Sequence, residues 1–249
     1  MKLLRPHFLR GLALLALCFV ALQLSFVLRI ACMAVADPQS TSFQRSEAWR
    51  LLLDQHELAW SQQWVDYAQM SVHLKRAVIA SEDSAFAEHG GIDWDAVEGA
   101  WRKNEKASAR ELARPARATA RSRPAVAKVV GGSTISQQLA KNLLLSGERT
   151  ALRKGQEFLL TMMLETMLSK QRILEIYLNS VEWGSGVFGA QAAAQHYFRI
   201  DASKLSAEQA ARLAVMLPAP KRFERQAASA YVSGRAATIV ARMSAVELP

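Results

Sequence analysis

Cysteine is scarce in this chain of 249 residues: Cys18 and Cys32 are the only two, and neither stands in a metal-ligand spacing. That argues against a disulfide framework and leaves two incidental thiols. Acidic residues are also in short supply, 22 against 31 Lys and Arg, giving a formal net charge of +9 and a pI near 9.9. Such a balance asks for an anionic partner: nucleic acid, a phospholipid surface or an acidic substrate. Strand-like alternation of any length is missing, so a mostly α-helical domain is expected. The Gly-x4-Gly-Lys-Ser/Thr spacing of a P-loop is missing as well.

What is present begins with an uncharged run. From Gly11 to Leu28 no residue is charged, and only Gln23 and Ser25 are clearly polar. As a helix, this run reaches roughly 27 Å at about 1.5 Å per residue. Lys2, Arg5 and Arg10 precede it, which holds the N-terminus in the cytoplasm and exports everything after about residue 36. Residues 1–36 thus read as a cytoplasmic N-terminus and transmembrane signal-anchor. Ala34-Val35-Ala36 resembles a cleavage site, so a removed signal peptide is the competing reading. The run is longer than a usual signal-peptide core, which favours the retained anchor. Arg29, three places before Cys32, argues against a lipoprotein signal. Export in either case makes nucleic acid the least suitable anion.

Residues 37–70 read as a linker and a membrane-proximal helix. Its amphipathic part spans 46–70, with Trp49, Leu52, Leu53, Trp60, Trp64 and Tyr67 at apolar positions that suit a core. The domain expected to do chemistry covers 71–249. Ser71 is placed to cap a helix running through Leu74, Val78 and Ile79 to Glu82, and Asp93 to Trp101 reads as another. Residues 102–128 hold nine Lys and Arg against Glu105 and Glu111, with two prolines. Such a stretch buries little apolar surface, so a basic mobile insert is expected, either a plain linker or a contact for anionic headgroups. Helices follow from Thr134 to about Leu145, Thr150 to Lys170, Gln171 to Asn179, Ala190 to Tyr197, Ser206 to Leu217 and Tyr231 to Met243. A glycine-rich turn covers Trp183 to Gly189.

Two glutamates stand in polar clusters that core packing does not explain. Glu82 ends the apolar run Ala77-Val78-Ile79-Ala80-Ser81 and is followed by Asp83, Phe86, His89 and Asp93. A carboxylate in such a place is kept basic. Glu157 follows Arg153 and Lys154 by four and three residues, so all three share a helix face and the carboxylate is kept ionised. Alone, that trio reads equally well as a surface ion-pair ladder.

Between the glutamates runs Gly131-Gly132-Ser133-Thr134-Ile135-Ser136-Gln137-Gln138-Leu139-Ala140-Lys141-Asn142. The free N–H groups of a helix start attract anions. Thr134 with Gln137 fits a capping box, and Ser133 is an alternative cap. Gln137, Gln138, Lys141 and Asn142 make a polar face suited to sugar hydroxyls and phosphate oxygens. Glu175 with Asn179 reads as structural support. Asp93-Trp94-Asp95 reads as a helix cap as readily as a metal-binding pair, and no metal ligands are assigned.

Taken in order, four motifs resemble those of the peptidoglycan glycosyltransferases, glycosyltransferase family fifty-one. They are Glu82-Asp83-x-x-Phe86-x-x-His89-x-Gly91-x-Asp93, the Gly132 to Asn142 segment, Arg153-Lys154-x-x-Glu157 and Arg172-Ile173-Leu174-Glu175-x-Tyr177-Leu178-Asn179. The likeness covers roughly Leu74 to Phe223. With no Ser-x-x-Lys or Lys-Thr-Gly of a transpeptidase, it is nearest to a monofunctional member. The resemblance implies a lysozyme-like, two-lobed helical domain behind an N-terminal transmembrane helix, set in the bacterial inner membrane with its catalytic domain periplasmic.

It further implies polymerisation of lipid II into β-1,4-linked glycan with release of undecaprenyl diphosphate, by one inverting displacement. Glu82 is then the general base. Glu157 orients Arg153, Lys154 and Lys141 or assists the leaving group, directly or through a divalent cation (Mg or Mn). Asp83, Phe86, His89, Ser133, Thr134, Gln137, Gln138 and Asn142 complete the substrate-binding set. Lipid II, the nascent strand and the membrane are the implied partners, with division machinery or other cell-wall synthases left open. Two rival readings stand beside it: a lysozyme-like hydrolase of finished glycan, and a non-catalytic scaffold recruiting partners through the basic insert.

Overall fold

Small hydroxyl residues placed just ahead of apolar stretches start most of the helices. Thr41, Ser71, Thr134, Thr150, Ser169, Ser206 and Ser229 each accept a backbone N–H of the helix they precede. Each such cap contributes about 1 kcal/mol to its helix. The computed structural model describes residues 4–56, 59–112, 132–145 and 150–249.

The first helix, α1 (Leu4–Met33), contains a candidate membrane span, His7–Met33, with mean hydropathy 2.4 and no part of its most apolar window buried in the protein. Then come α2 (Ser42–Gln55), α3 (Val72–Glu82) and α4 (Trp94–Leu112). Helices α5 (Ile135–Leu144), α6 (Ala151–Met167) and α7 (Lys170–Ser180) pack on one another. After α8 (Ala190–Phe198), helices α9 (Ala207–Met216), α10 (Pro220–Glu224) and α11 (Ala230–Met243) complete the chain. Helix α3 lies against α9 and α11, forming a second helical group. Leu74, Val78 and Ile79 of α3 are fully buried, as are Leu139 and Leu143 of α5 and Leu160 and Leu164 of α6. Each fully buried aliphatic side chain stabilises the fold by about 1.5–3 kcal/mol. The result is a mostly helical, lysozyme-like domain behind one apolar helix.

Three expectations change. A small sheet exists after all: β1 (Ser61–Gln62), β2 (Glu182–Gly184) and β3 (Val187–Phe188), in the order β1-β3-β2, with β1 parallel and β2 antiparallel to β3. Its tight turn needs Gly186, at φ 73°, where a Cβ would come within 1.9 Å of the Ala59 carbonyl oxygen.

The helix expected over 46–70 instead ends at Gln55, with His56 left-handed at φ 54°. The reason lies in α7. Asn179 accepts from the Val65 N–H and donates to the Val65 carbonyl, both at 2.9 Å, and Glu175 accepts the Tyr67 N–H at 2.6 Å. Those bonds hold Val65 and Tyr67 against α7, where the chain makes only a single 3-10 turn over Tyr67–Gln69 in place of the expected α-helix. On α2, Trp49, Leu52 and Leu53 are exposed rather than core.

Finally, α4 does not stop at Trp101 but runs to Leu112, so 102–112 is helical. Arg102 pairs with Glu98 one turn earlier, and Ala, Lys, Arg and Glu are all good helix formers. The rest of the expected insert, and Gly131, lie outside the described residues.

The outer end of α1 is tied into the domain. Ile30 and Met33 are buried in the common core. Arg172 at the start of α7 donates to the Met33 carbonyl at 2.8 Å and the Ala36 carbonyl at 3.0 Å, and pairs with Asp37 at 2.8 Å.

Candidate active site

Helix α3 delivers Glu82 as its last residue and Asp83 as its C-cap. Asp83 spends both carboxylate oxygens inside the protein. One faces His89 Nε2 at 2.8 Å, and the other accepts the Ile135 N–H, the first of α5, at 2.9 Å. The Thr134 hydroxyl, besides capping α5, donates to the Gly91 carbonyl at 2.7 Å. Asp83, His89 and Thr134 therefore bolt the end of α3 to the start of α5. That brings Gln138, one turn into α5, within 3.1 Å of Glu82, its Nε2 donating to Oε2. Behind it the buried Tyr177 hydroxyl donates to Gln138 Oε1 at 3.0 Å, fixing which way the amide points.

Burial pushes the Glu82 carboxyl above its ordinary range; bonds from Gln138 and Ser81 offset part of that rise, and neighbouring Asp83 adds to it. Burial likewise raises Asp83, opposed by His89, the Ile135 N–H and Lys170. A carboxyl held more basic than usual yet open to a cavity is equipped to accept a proton.

Glu157 is built differently. Arg153 and Lys154, on the first turn of α6, approach its two oxygens at 3.0 and 2.5 Å. The Glu157 side chain is 5% exposed and that of Lys154 56%, so the ammonium stays accessible while the carboxylate beneath it does not. Arg153 Nε is buried and has no hydrogen-bond partner among the described residues.

Two adjoining cavities connect these groups. The larger, about 380 Å³, is walled by Gln137, Gln138 and Lys141 of α5 and by Thr150, Arg153, Lys154 and Glu157 of α6. The smaller, about 200 Å³, is walled by Ser81, Glu82, Asp83, Asp93 and Thr134. Ser133 lines both. The N-terminal turn of α5 thus stands between the two glutamates.

Some of the expected binding residues sit elsewhere. Phe86 is fully buried and offers no surface; it lies under Lys170, whose Nζ is 4.5 Å from its ring centre. His89 lines neither cavity and reaches the site through Asp83. Asn142 lies one position beyond Lys141 and lines neither cavity. Asp93 caps α4, accepting the Ala96 N–H at 2.8 Å. Sequence reasoning missed Arg242, from α11, in the wall of the smaller cavity, and Thr150 in the larger.

A divalent ion at Glu157 does not fit these residues. Both of its oxygens already accept from cations, and among the described residues no three His, Cys, Asp or Glu side chains converge.

Fold and site together define a class: a lysozyme-like helical enzyme domain whose cleft opposes one half-buried, basic carboxyl to a second carboxylate braced by cations. The family model described as Transglycosylase matches residues 52–244. The chain is 52% identical over 231 residues to the biosynthetic peptidoglycan transglycosylase of Burkholderia thailandensis, covering 93% of this chain and 83% of that one. It is 49% identical over 238 residues to the protein of that name from Paraburkholderia phytofirmans, covering 95% and 91%. The chain belongs to the transglycosylase family.

Proposed function

We propose that the protein is a peptidoglycan glycosyltransferase of cell-wall biosynthesis that polymerises lipid II, with Glu82 as base and the Arg153–Lys154–Glu157 cluster as the leaving-group site. The observation that carries the reading is the division of labour across the start of α5. Glu82, raised by burial, opens to one cavity, while cations line the other.

An acceptor sugar in the smaller cavity presents its 4-hydroxyl to Glu82. As the O–H bond breaks, the proton passes to the Glu82 carboxylate and the oxygen attacks the donor's anomeric carbon from the face opposite the phosphate. The bond from that carbon to the diphosphate oxygen breaks, and undecaprenyl diphosphate departs with the electron pair. One displacement turns an α-linked donor into a β-1,4-linked product. Lys154 and Lys141, both exposed in the larger cavity, meet the charge that builds on the diphosphate, with Arg153 in the same wall. Ser133 lies between donor and acceptor, and Gln137 and Gln138 line the donor side.

The candidate span in α1 supports a single-pass anchor in the inner membrane, with the catalytic domain outside the cytoplasm. Confinement to the bilayer that holds the polyprenyl chain raises the effective concentration of enzyme and substrate.

Fluorescent lipid II supplied to the purified full chain tests the reading. Polymer ladders on gels are expected from the native protein and not from Glu82→Gln, which should still bind lipid II. Near-normal ladders from that variant would defeat the assignment, and release of fragments from purified sacculi would point to a hydrolase instead.

A further inference from the structure

Within the uncharged run, Gln23 is one of only two clearly polar side chains; Ser25 is satisfied by its own helix, donating to the Leu22 carbonyl at 2.7 Å. Gln23 instead meets Gln156 of α6. The two amides exchange hydrogen bonds, Gln23 Nε2 to Gln156 Oε1 at 3.1 Å and Gln156 Nε2 to Gln23 Oε1 at 3.0 Å. Gln156 directly precedes Glu157 and follows Arg153 and Lys154 on the same helix. We infer that this amide pair makes α1 a positioning element of the leaving-group site, fixing the depth of the Arg153–Lys154–Glu157 cluster relative to the bilayer surface.

The inference rests on α1 being the membrane anchor. Its candidate span of 27 residues is about 40 Å long at about 1.5 Å per residue, roughly 10 Å more than a hydrocarbon core of about 30 Å. The surplus is the part that packs on the domain, where Phe26, Ile30 and Met33 join the core. Gln23 lies about 15 Å down the helix from Met33, about 5 Å inside the lipid edge that this surplus defines. Slipping α1 along α6 by one turn, about 5.4 Å, would strand both amides beside apolar groups. A polar pair in an apolar helix contact specifies register for that reason.

Arg172 fixes the other end of the same contact, so α1 meets the domain at two separated points. A lipid-linked diphosphate enters at a depth set by its headgroup. A cluster whose own depth is fixed can meet that diphosphate without searching.

The full chain in phospholipid nanodiscs supplies the test. Gln23→Leu and Gln156→Leu keep the segment apolar and each leave one amide unpaired. Each is expected to raise the KM for lipid II about fivefold or more, with kcat within about twofold. The double variant should be no worse than either single. The affinity for undecaprenyl diphosphate, read in the same discs, should weaken in parallel. That reading stands even if polymerisation fails, a failure that would remove the assigned reaction and not the contact. With Cys18 and Cys32 replaced by Ser, Gln23→Cys with Gln156→Cys should be joined by a short bis-maleimide, and the joined protein should keep its ligand affinity. Unchanged KM and affinity in both single variants, additive losses in the double, or absence of cross-linking would overturn the proposal.

Discussion

Glu82 sits at the end of an apolar helix with an amide and a hydroxyl for neighbours, whereas Glu157 is gripped by two cations on its own helix. The side chain is the same and the surroundings are opposed. Burial raises the first carboxyl. The second is a component of a positively charged surface. If that contrast is what the site uses, the same neutralising substitution should do different damage at the two positions. Glu82→Gln removes the proton acceptor and should lower kcat by about 100- to 10,000-fold, with lipid II affinity nearly intact. Loss of affinity in place of rate would collapse the distinction.

Glu157→Gln should act more weakly and differently. It frees Arg153 and Lys154 from a shared anchor, and a hydrogen bond to a charged group is worth about 1.5–3 kcal/mol. At about 1.4 kcal/mol per tenfold, kcat/KM should fall about 10- to 100-fold, and undecaprenyl diphosphate inhibition should weaken alongside it. A variant with unchanged product inhibition would show that this glutamate does not organise the leaving-group site.

The contrast was legible in sequence because both halves of it are local. A carboxyl at the end of an apolar segment, and a carboxylate three and four residues after two cations, follow from helical spacing alone. The caps at Ser71 and Thr134 were readable for the same reason. What was not legible depends on distant chain. Asn179, 114 positions later in the chain, pins the backbone of Val65 and so overrides an amphipathic pattern that suggested α-helix. Arg242 belongs to no motif and joins the smaller cavity only because α11 packs on α3. Phe86 sits among motif residues yet is buried, since an aromatic ring next to a helix end fills the core more readily than it faces water. At 102–112 the count of charges obscured a run of good helix formers.

The protonation of Glu82 offers a finer test. A base works only when deprotonated, so polymerisation should fall as the pH drops through a value above the ordinary glutamate range. Gln138 donates to the charged form and holds the value down. Gln138→Leu should therefore move this acid limb to higher pH. Asp83→Asn, which removes a like charge, should move it lower. If both variants leave the limb in place, the titrating group is not Glu82.

The smallest effect concerns stability. A carboxyl whose folded value is raised binds its proton more tightly in the native state than in the unfolded chain. Its contribution is most favourable below the unfolded value and is lost as pH rises through the folded one. At pH 7.5 Glu82 therefore works against the fold, and Glu82→Gln should raise Tm by a few degrees while abolishing synthesis. Below pH 4 the two proteins should melt nearly together, because there Glu82 is protonated in both states. The matching substitution Glu157→Gln should lower Tm at pH 7.5, since it leaves two cations without their anchor. Tm shifts of the same sign in both variants would mean that the two glutamates do not occupy opposed environments.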